Sequence, residues 1–243
     1  MVRFLLVCLV VAGFLILTIP VLVFLWLLRF FSKRAADVAS LRIVQGVFRL
    51  ILFISGVRAT VIGEENVPKG RSVLYVGNHH SYFDILLTCV RFPGPTGFIS
   101  KKEMDRYPLL NIWMRRLYCL FLDRADLRQG ITVIKTAAAY IKDGISICVF
   151  PEGTRNKGDK DLPLLPFHEG SFKIASKSGC PIVPIAISHS QQIFEAHFPR
   201  IVPTTVTIEY GPAIYPESLT AEERRRIPKM AEQQIVDMLA KNS

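Results

Sequence analysis

Across residues 4–28 nearly every position is apolar; only Gly13, Thr18 and Pro20 interrupt the run. As one helix at about 1.5 Å per residue it would be about 37 Å long, more than the roughly 30 Å of a bilayer's hydrocarbon core. A cleaved signal peptide would carry a shorter apolar stretch ending at small residues. Here Trp26, Phe30 and Phe31 come next, with Arg29, Lys33 and Arg34 among and after them. The segment therefore reads as a retained membrane anchor, and its basic cluster favours the cytoplasmic side for the remainder of the chain. Pro20 leaves a kinked, monotopic hairpin open beside a straight span. Residues 38–57 are amphipathic, with Arg42, Gln45 and Arg49 at helical spacing on one face and Leu41, Val44, Val47, Phe48, Ile51, Leu52 and Ile54 on the remainder. Such a helix either lies in the interface with its arginines toward head groups or packs on the anchor. Residues 1–57 thus form a membrane-holding segment, and 58–243 a globular domain.

In the globular part the pattern changes to short apolar runs alternating with helical periodicity. Strands are predicted at 59–62, 72–76, 97–100, 117–122, 145–150, 182–187 and 205–210. Several are runs of Val, Ile, Leu and Phe without alternation, as suits strands covered on both faces. Helices are predicted at 82–90, 108–116, 127–142, 170–178 and 221–241, with Gly144 and Gly179 as C-terminal stops. Thr220 and Glu223 form a capping-box pattern before the last. The expected class is α/β, a mixed, mostly parallel sheet flanked by helices behind an N-terminal anchoring segment. The loop 156–166, rich in Gly, Asp, Lys and Pro, is expected to be the most mobile.

Polar clusters come directly after four of these strands. Asn78-His79 stands after the second, Lys101-Lys102 after the third, Asp123-Arg124 after the fourth and Glu152-Gly153-Thr154-Arg155 after the fifth. In open α/β sheets ligands bind at the carboxyl edge, so four deliveries to one edge mark a site.

Charge narrows the partners. Thirty basic against 20 acidic residues give a formal net charge of +10, which favours anions: acidic lipid, phosphorylated substrate or nucleic acid. Nucleic acid loses ground because no basic region interleaved with aromatics is present, nor any zinc-finger or RNP pattern. The five cysteines, Cys8, Cys89, Cys119, Cys148 and Cys180, sit among apolar residues without a Cys-x-x-Cys pair and read as buried free thiols.

The chemistry concentrates in Asn78-His79-His80-Ser81-Tyr82-Phe83-Asp84. A histidine has an unperturbed pKa near neutrality, and an Asp at the start of the next helix can fix its tautomer and stabilise its cation. The pair His79 and Asp84 reads as a general base for a hydroxyl. Read as His-His-x3-Asp, the same residues make His80 the base, as in the condensation and chloramphenicol-acetyltransferase-like enzymes. A metal site from His79, His80 and Asp84 would lack the helical i, i+4 histidine pairing. Arg124 and Arg155 each present a planar fork to phosphate and Lys101 a point charge. Glu152 accepts from a substrate hydroxyl or holds Arg155, and Gly153 lets backbone approach a ligand. No Gly-x-Ser-x-Gly elbow, Walker loop or dinucleotide fingerprint is present, which disfavours a serine hydrolase, an ATPase and a dehydrogenase.

Asn-His-x4-Asp, then Phe121-x-x-Arg124, then Phe150-Pro151-Glu152-Gly153-Thr154-Arg155, then Ile182-Val183-Pro184-Ile185 resembles the four blocks of the glycerolipid acyltransferase family, in the family's order, over residues from about 58 to 215. The resemblance implies the glycerolipid acyltransferase fold, with His79 as base and Asp84 as its partner. It implies that Arg124, Glu152, Gly153, Thr154 and Arg155 shape the acceptor site, that Lys101 contacts phosphate, and that Pro184 serves the acyl side or packing. The implied reaction moves an acyl group from an acyl-CoA or acyl carrier protein thioester to the 2-hydroxyl of lysophosphatidic acid, with no cofactor or metal. Glycerol-3-phosphate or another lysophospholipid is the alternative acceptor, and a non-catalytic membrane lipid-binding protein the alternative class. The chain departs from the family at two places. Tyr118 stands where a glycine often precedes the second-block Arg, and Phe167-His168-Glu169-Gly170-Ser171-Phe172 stands where Phe-Lys-x-Gly-Ala-Phe is usual.

Overall fold

The structure is a computed structural model that describes residues 1–156 and 164–242. Most of the loop expected to be mobile, residues 157–163, lies outside the described residues. All seven expected strands form: β1 (Arg58–Ile62), β2 (Leu74–Gly77), β3 (Thr96–Lys101), β4 (Leu120–Leu122), β5 (Ser146–Val149), β6 (Ile182–Ser188) and β7 (Thr205–Tyr210). They make one sheet in the order β1-β7-β6-β2-β5-β3-β4. Strands β6, β2, β5, β3 and β4 run parallel, whereas β7 is antiparallel to β6 and β1 runs with β7. The non-alternating runs have the expected cause: β2 and β6 are buried throughout. One apolar layer lies against each face of the sheet, one gathering Tyr75, Val183 and Ile208, the other Leu74, Ile147 and Ile182. Because five strands are parallel, the four polar clusters do emerge at one edge.

Helices α4 (Phe83–Cys89), α5 (Leu110–Arg116), α6 (Leu127–Lys142), α7 (Lys173–Ser178) and α8 (Ala221–Lys241) fall where helical periodicity placed them. Gly144 and Gly179 carry the positive φ of C-terminal stops, and Thr220 with Glu223 closes a capping box. Pro184 stands inside β6 beside Val76, a packing position.

The N-terminal segment departs from a straight span. It is two helices, α1 (Val2–Leu17) and α2 (Ile19–Phe31), bent by 49°. Pro20 lacks an amide donor and its ring crowds the carbonyl of Ile16, so the helix breaks two residues earlier, at Thr18. The Thr18 hydroxyl takes the Phe14 carbonyl and accepts from the Trp113 indole at 3.1 Å. Cys8 lies exposed on α1, unlike the other four cysteines, which are buried free thiols. By length and composition alone, α3 (Lys33–Ser55) meets the requirement for a membrane span, and α1 with α2 meets it as a bent pair.

The polar stripe on α3 has a partner that neither reading of the sequence named. Gln45 is fully buried and donates to the carbonyls of Cys89 and Phe92, both at 2.9 Å. Arg49 donates to Val90 and Arg42 to Pro93. Cys89 ends α4, Val90 is its C-cap, and Phe92 and Pro93 lie in the turn that follows, so the stripe holds the helix C-terminus and the turn after it. Leu41, Val44 and Ile51 of α3 join the same apolar layer as Tyr75 and Val183, so the core is continuous across residue 57.

The strand predicted at 117–122 is shorter because Leu117 to Cys119 turn. Tyr118 has φ +60°, the left-handed region that glycine adopts freely, at the position where the resembling family often carries glycine. Here the phenol instead donates to the buried carboxylate of Asp37 on α3 and sits beneath Lys33. Tyr118→Phe should therefore leave that carboxylate short of a donor and lower stability by about 1–3 kcal/mol, read as a drop in Tm or in the denaturant midpoint.

Candidate active site

β2 ends at Gly77, where a Cβ would stand 3.2 Å from the Phe150 ring. The next residue, Asn78, is fully buried; its side chain accepts from the Ile187 N–H at 2.8 Å and donates to the Ile187 carbonyl at 2.9 Å. That exchange ties the end of β2 to β6 and fixes where His79 begins.

Asp84 organises the turn. One oxygen, Oδ2, accepts from the main-chain N–H groups of His80 and Ser81, each at 2.7 Å, and meets His79 Nδ1 at 2.9 Å. The carboxylate is wholly buried in the first turn of α4, where the open amides favour negative charge. An oxygen that already accepts twice requires a donor from the imidazole. The proton therefore belongs on Nδ1, which leaves Nε2 as the basic nitrogen. Asp84 engages the ring of His79 and the main chain of His80, and this geometry favours the His-x4-Asp reading. The His80 ring lies beside the Asn78 amide instead, at 3.3 Å.

His79 is held on every other side. Its N–H donates to Glu152 Oε1 at 2.7 Å, its carbonyl accepts from Asn156 at 2.7 Å, and its ring stacks on Phe150 with centroids 4.4 Å apart. The side chain keeps 15 % of its surface exposed. Glu152 spends its second oxygen on the Leu165 N–H at 2.9 Å. Both oxygens thus accept from backbone, and Arg155, one of the expected partners, pairs with Glu195 instead. Burial pushes the Glu152 carboxyl up to about 7, against the pull of its two main-chain donors.

The cations fall into separate groups. Arg155 donates to Glu195 at 3.0 Å and lies 3.7 Å over the Tyr82 ring. Glu195 also accepts from the Ser81 hydroxyl at 2.6 Å and the Tyr82 N–H at 2.8 Å, so Arg155 buttresses the turn beside His80. Arg124 takes neither of the acids nearest it in sequence: Asp123 pairs with Lys102, and Asp126 caps α6. Partial enclosure draws the Arg124 pKa down, with Glu103 acting the other way. A Cβ on Gly153, at φ +74°, would stand 3.2 Å from Arg124 Cζ and 3.1 Å from His168 Nε2, so only glycine lets these two groups close over the turn. Thr154 and Lys101 are exposed at the same edge, outside the described linings of the two cavities that adjoin it.

Two cavities adjoin the His79 turn. One, of about 330 Å³, is walled by Ile99, Leu122, Ile131, Ile134 and Ile174, with Arg124, His168 and Lys173 also lining it; Phe150, the ring stacked on His79, closes one side. The other, of about 530 Å³, is lined by His80, Tyr82, Arg155, Glu195, Phe194 and Phe198. Phe194 carries it to the N-terminal helices by stacking on Phe4 of α1. Sequence reasoning did not place His168, Glu195 or Phe150 in the site. The departure at His168 was a signal; Glu195 had none, because its partners Arg155, Ser81 and Tyr82 lie 40, 114 and 113 residues away.

A part-buried His–Asp pair at the carboxyl edge of a mostly parallel sheet is an arrangement found in α/β enzymes. A family model described as Acyltransferase matches residues 58–188. The chain belongs to that acyltransferase family. It is 29 % identical over 200 residues to a 1-acyl-sn-glycerol-3-phosphate acyltransferase of Borreliella burgdorferi, covering 82 % of this chain and 79 % of that one. It is 28 % identical to the human 1-acyl-sn-glycerol-3-phosphate acyltransferase alpha, covering 83 % of this chain and 69 % of that one. The crystal structure of the 1-acyl-sn-glycerophosphate (LPA) acyltransferase PlsC from Thermotoga maritima superposes with a TM-score of 0.82 at 26 % identity, over 99 % of this chain and 94 % of that one.

The Glu152 carboxyl has a folded pKa above its ordinary 4.5, so the folded chain holds that proton more tightly than the unfolded chain. Stability from this group is therefore lost as pH rises from about 4.5 to about 7 and is level above that window. Across it, the Tm of the wild type should fall relative to that of Glu152→Gln; a constant difference from pH 4 to 8 would contradict the assignment.

Proposed function

We propose that this chain transfers a fatty acyl group from an acyl thioester to the 2-hydroxyl of 1-acyl-sn-glycerol-3-phosphate, giving phosphatidic acid. Relatives of that name and the matching PlsC fold support the reaction. The observation that carries the reading is the position of the His79–Asp84 pair, at a turn flanked by one apolar, cation-lined cavity and a second that reaches the N-terminal helices. Two substrates must meet at one base, and the two cavities suit that need.

Nε2 of His79 takes the hydroxyl proton as the oxygen attacks the thioester carbonyl. Asp84 keeps the ring oriented and offsets the charge of the imidazolium. The tetrahedral intermediate then expels the thiolate, which takes the proton from His79, so no acyl-enzyme forms. Arg124 with His168 receives the acceptor's phosphate, Gly153 admits its close approach, and Lys101 and Thr154 border the same edge. Glu152 acts by holding His79, and Arg155 by holding the turn through Glu195. The isoleucine- and leucine-lined walls favour an acceptor that already bears a chain over bare glycerol-3-phosphate. The donor is acyl-CoA or acyl carrier protein. The bent N-terminal pair seats the enzyme on the membrane, where the lipid acceptor and product reside, with the domain on the cytoplasmic side.

Incubating the purified chain with labelled acyl-CoA or acyl carrier protein and a panel of acceptors tests the assignment; labelled product from glycerol-3-phosphate alone would refute it. His79→Ala and Asp84→Asn should each lower kcat by about 10²–10⁴-fold while leaving the circular dichroism unchanged. The arginines should separate kinetically. Arg124→Ala is expected to raise the acceptor KM about tenfold with kcat little changed, whereas Arg155→Ala should act mainly on kcat. Equal effects of the two substitutions on KM would place both on the phosphate.

A further inference from the structure

Away from both catalytic cavities, a groove of about 560 Å³ runs between α3, the turn after α4 and β1. Three guanidinium groups line it, Arg42, Arg49 and Arg91, with Glu64 the one carboxylate among the lining residues. Their hydrogen bonds within the chain leave much unused. Of the five donors on each guanidinium, Arg42 commits two, to Gln45 and Pro93, and Arg49 one, to Val90. The Nε of Arg91 is buried with no hydrogen-bond partner among the described residues. A buried donor of this kind costs free energy unless a ligand accepts from it. Glu64 does not satisfy the group: no ion pair joins it to an arginine among the described residues.

The rim of the groove is apolar and faces outward. Phe53 on α3 is 82 % exposed, and it lines both this groove and a neighbouring one that holds Arg3 and Arg58. Leu50, also exposed, stands one turn back on the same helix. Planar cationic forks in a recess beside unpartnered hydrocarbon match a phosphate that carries acyl chains.

We propose that this groove binds the phosphate headgroup of an anionic phospholipid that is not the substrate, with Arg49 and Arg91 on the phosphate and Phe53 against the chains. It rests on the membrane seating described above and is independent of the acyl-transfer chemistry. Such a lipid would hold α3, and through Gln45 the end of α4, in register with the leaflet.

The test counts bound lipid by native mass spectrometry on the full detergent-solubilised chain, with dioctanoyl-phosphatidylglycerol, dioctanoyl-phosphatidylcholine and inorganic phosphate as separate arms. Phosphatidylglycerol should bind saturably and about tenfold more tightly than phosphatidylcholine. Arg91→Gln and the exposed substitution Phe53→Glu should each weaken phosphatidylglycerol binding about tenfold and leave turnover of a water-soluble acceptor unchanged, while Arg225→Gln on α8 should change neither. Wild-type phosphatidylglycerol binding in both Arg91→Gln and Phe53→Glu would overturn the site. Displacement of the lipid by inorganic phosphate at equal concentration would assign the groove to a free anion and overturn the lipid. Because turnover is read separately, an inactive wild-type chain would count against the proposed acyl transfer and leave the lipid result standing.

Discussion

The arrangement at the sheet edge depends on one buried carboxylate. Asp84 has no solvent, so its charge must be matched by donors from the protein. Two come from the backbone of the turn, His80 and Ser81, and the third from the ring of His79. The same three bonds therefore shape the turn, open α4 and set the tautomer of the base. Moving the aspartate by one residue would lose all three at once. The spacing of four residues between the histidine and the aspartate has its cause here: it is the length of chain that wraps once around a single oxygen.

Glu152 meets Asp84's turn from the end of the neighbouring parallel strand, β5. It is also a buried carboxylate, and each of its oxygens accepts from a main-chain donor, His79 and Leu165. The consequence is a division of labour among acids that look alike in the sequence. Asp84 acts on the imidazole ring, Glu152 on the backbone that carries it, and Glu195 on Ser81 and Tyr82. A histidine held by its ring, its amide and its carbonyl has little freedom left to lose, and for the proposed base that preorganisation is where a rigid turn would contribute to rate.

The sequence made the parallel edge legible because buried strands leave uninterrupted Val, Ile and Leu runs and the polar residues after them stand out. His79, Asp84, Arg124 and the Glu152–Arg155 block were visible for that reason. The partners of those residues were not. Asn78 bonds Ile187, and Gln45 bonds Cys89 and Phe92; such side-chain-to-backbone links depend on which carbonyls are left open in three dimensions. The amphipathic pattern of α3 correctly announced a helix with one polar face, but a hydrophobic pattern cannot distinguish a face turned to head groups from one turned to a helix end. Tyr118 illustrates a different limit. Its left-handed backbone was signalled by the absent glycine, while the compensating bond to Asp37 required knowing that α3 passes there.

These contacts give α4 a role larger than its seven residues suggest. At about 1.5 Å per residue it spans only about 10 Å. Its first turn carries Asp84, and its C-terminal end and the turn after it are held by Gln45, Arg49 and Arg42 of α3. Few degrees of freedom separate the two ends of so short a helix. His79 is therefore positioned relative to α3, which packs on α1 and α2, and so relative to whatever surface those helices occupy. An anchor joined by a flexible linker would keep the enzyme near the bilayer while leaving the orientation of its site free. A helix capped into the core fixes the orientation as well, which would suit the proposed transfer to a lipid acceptor.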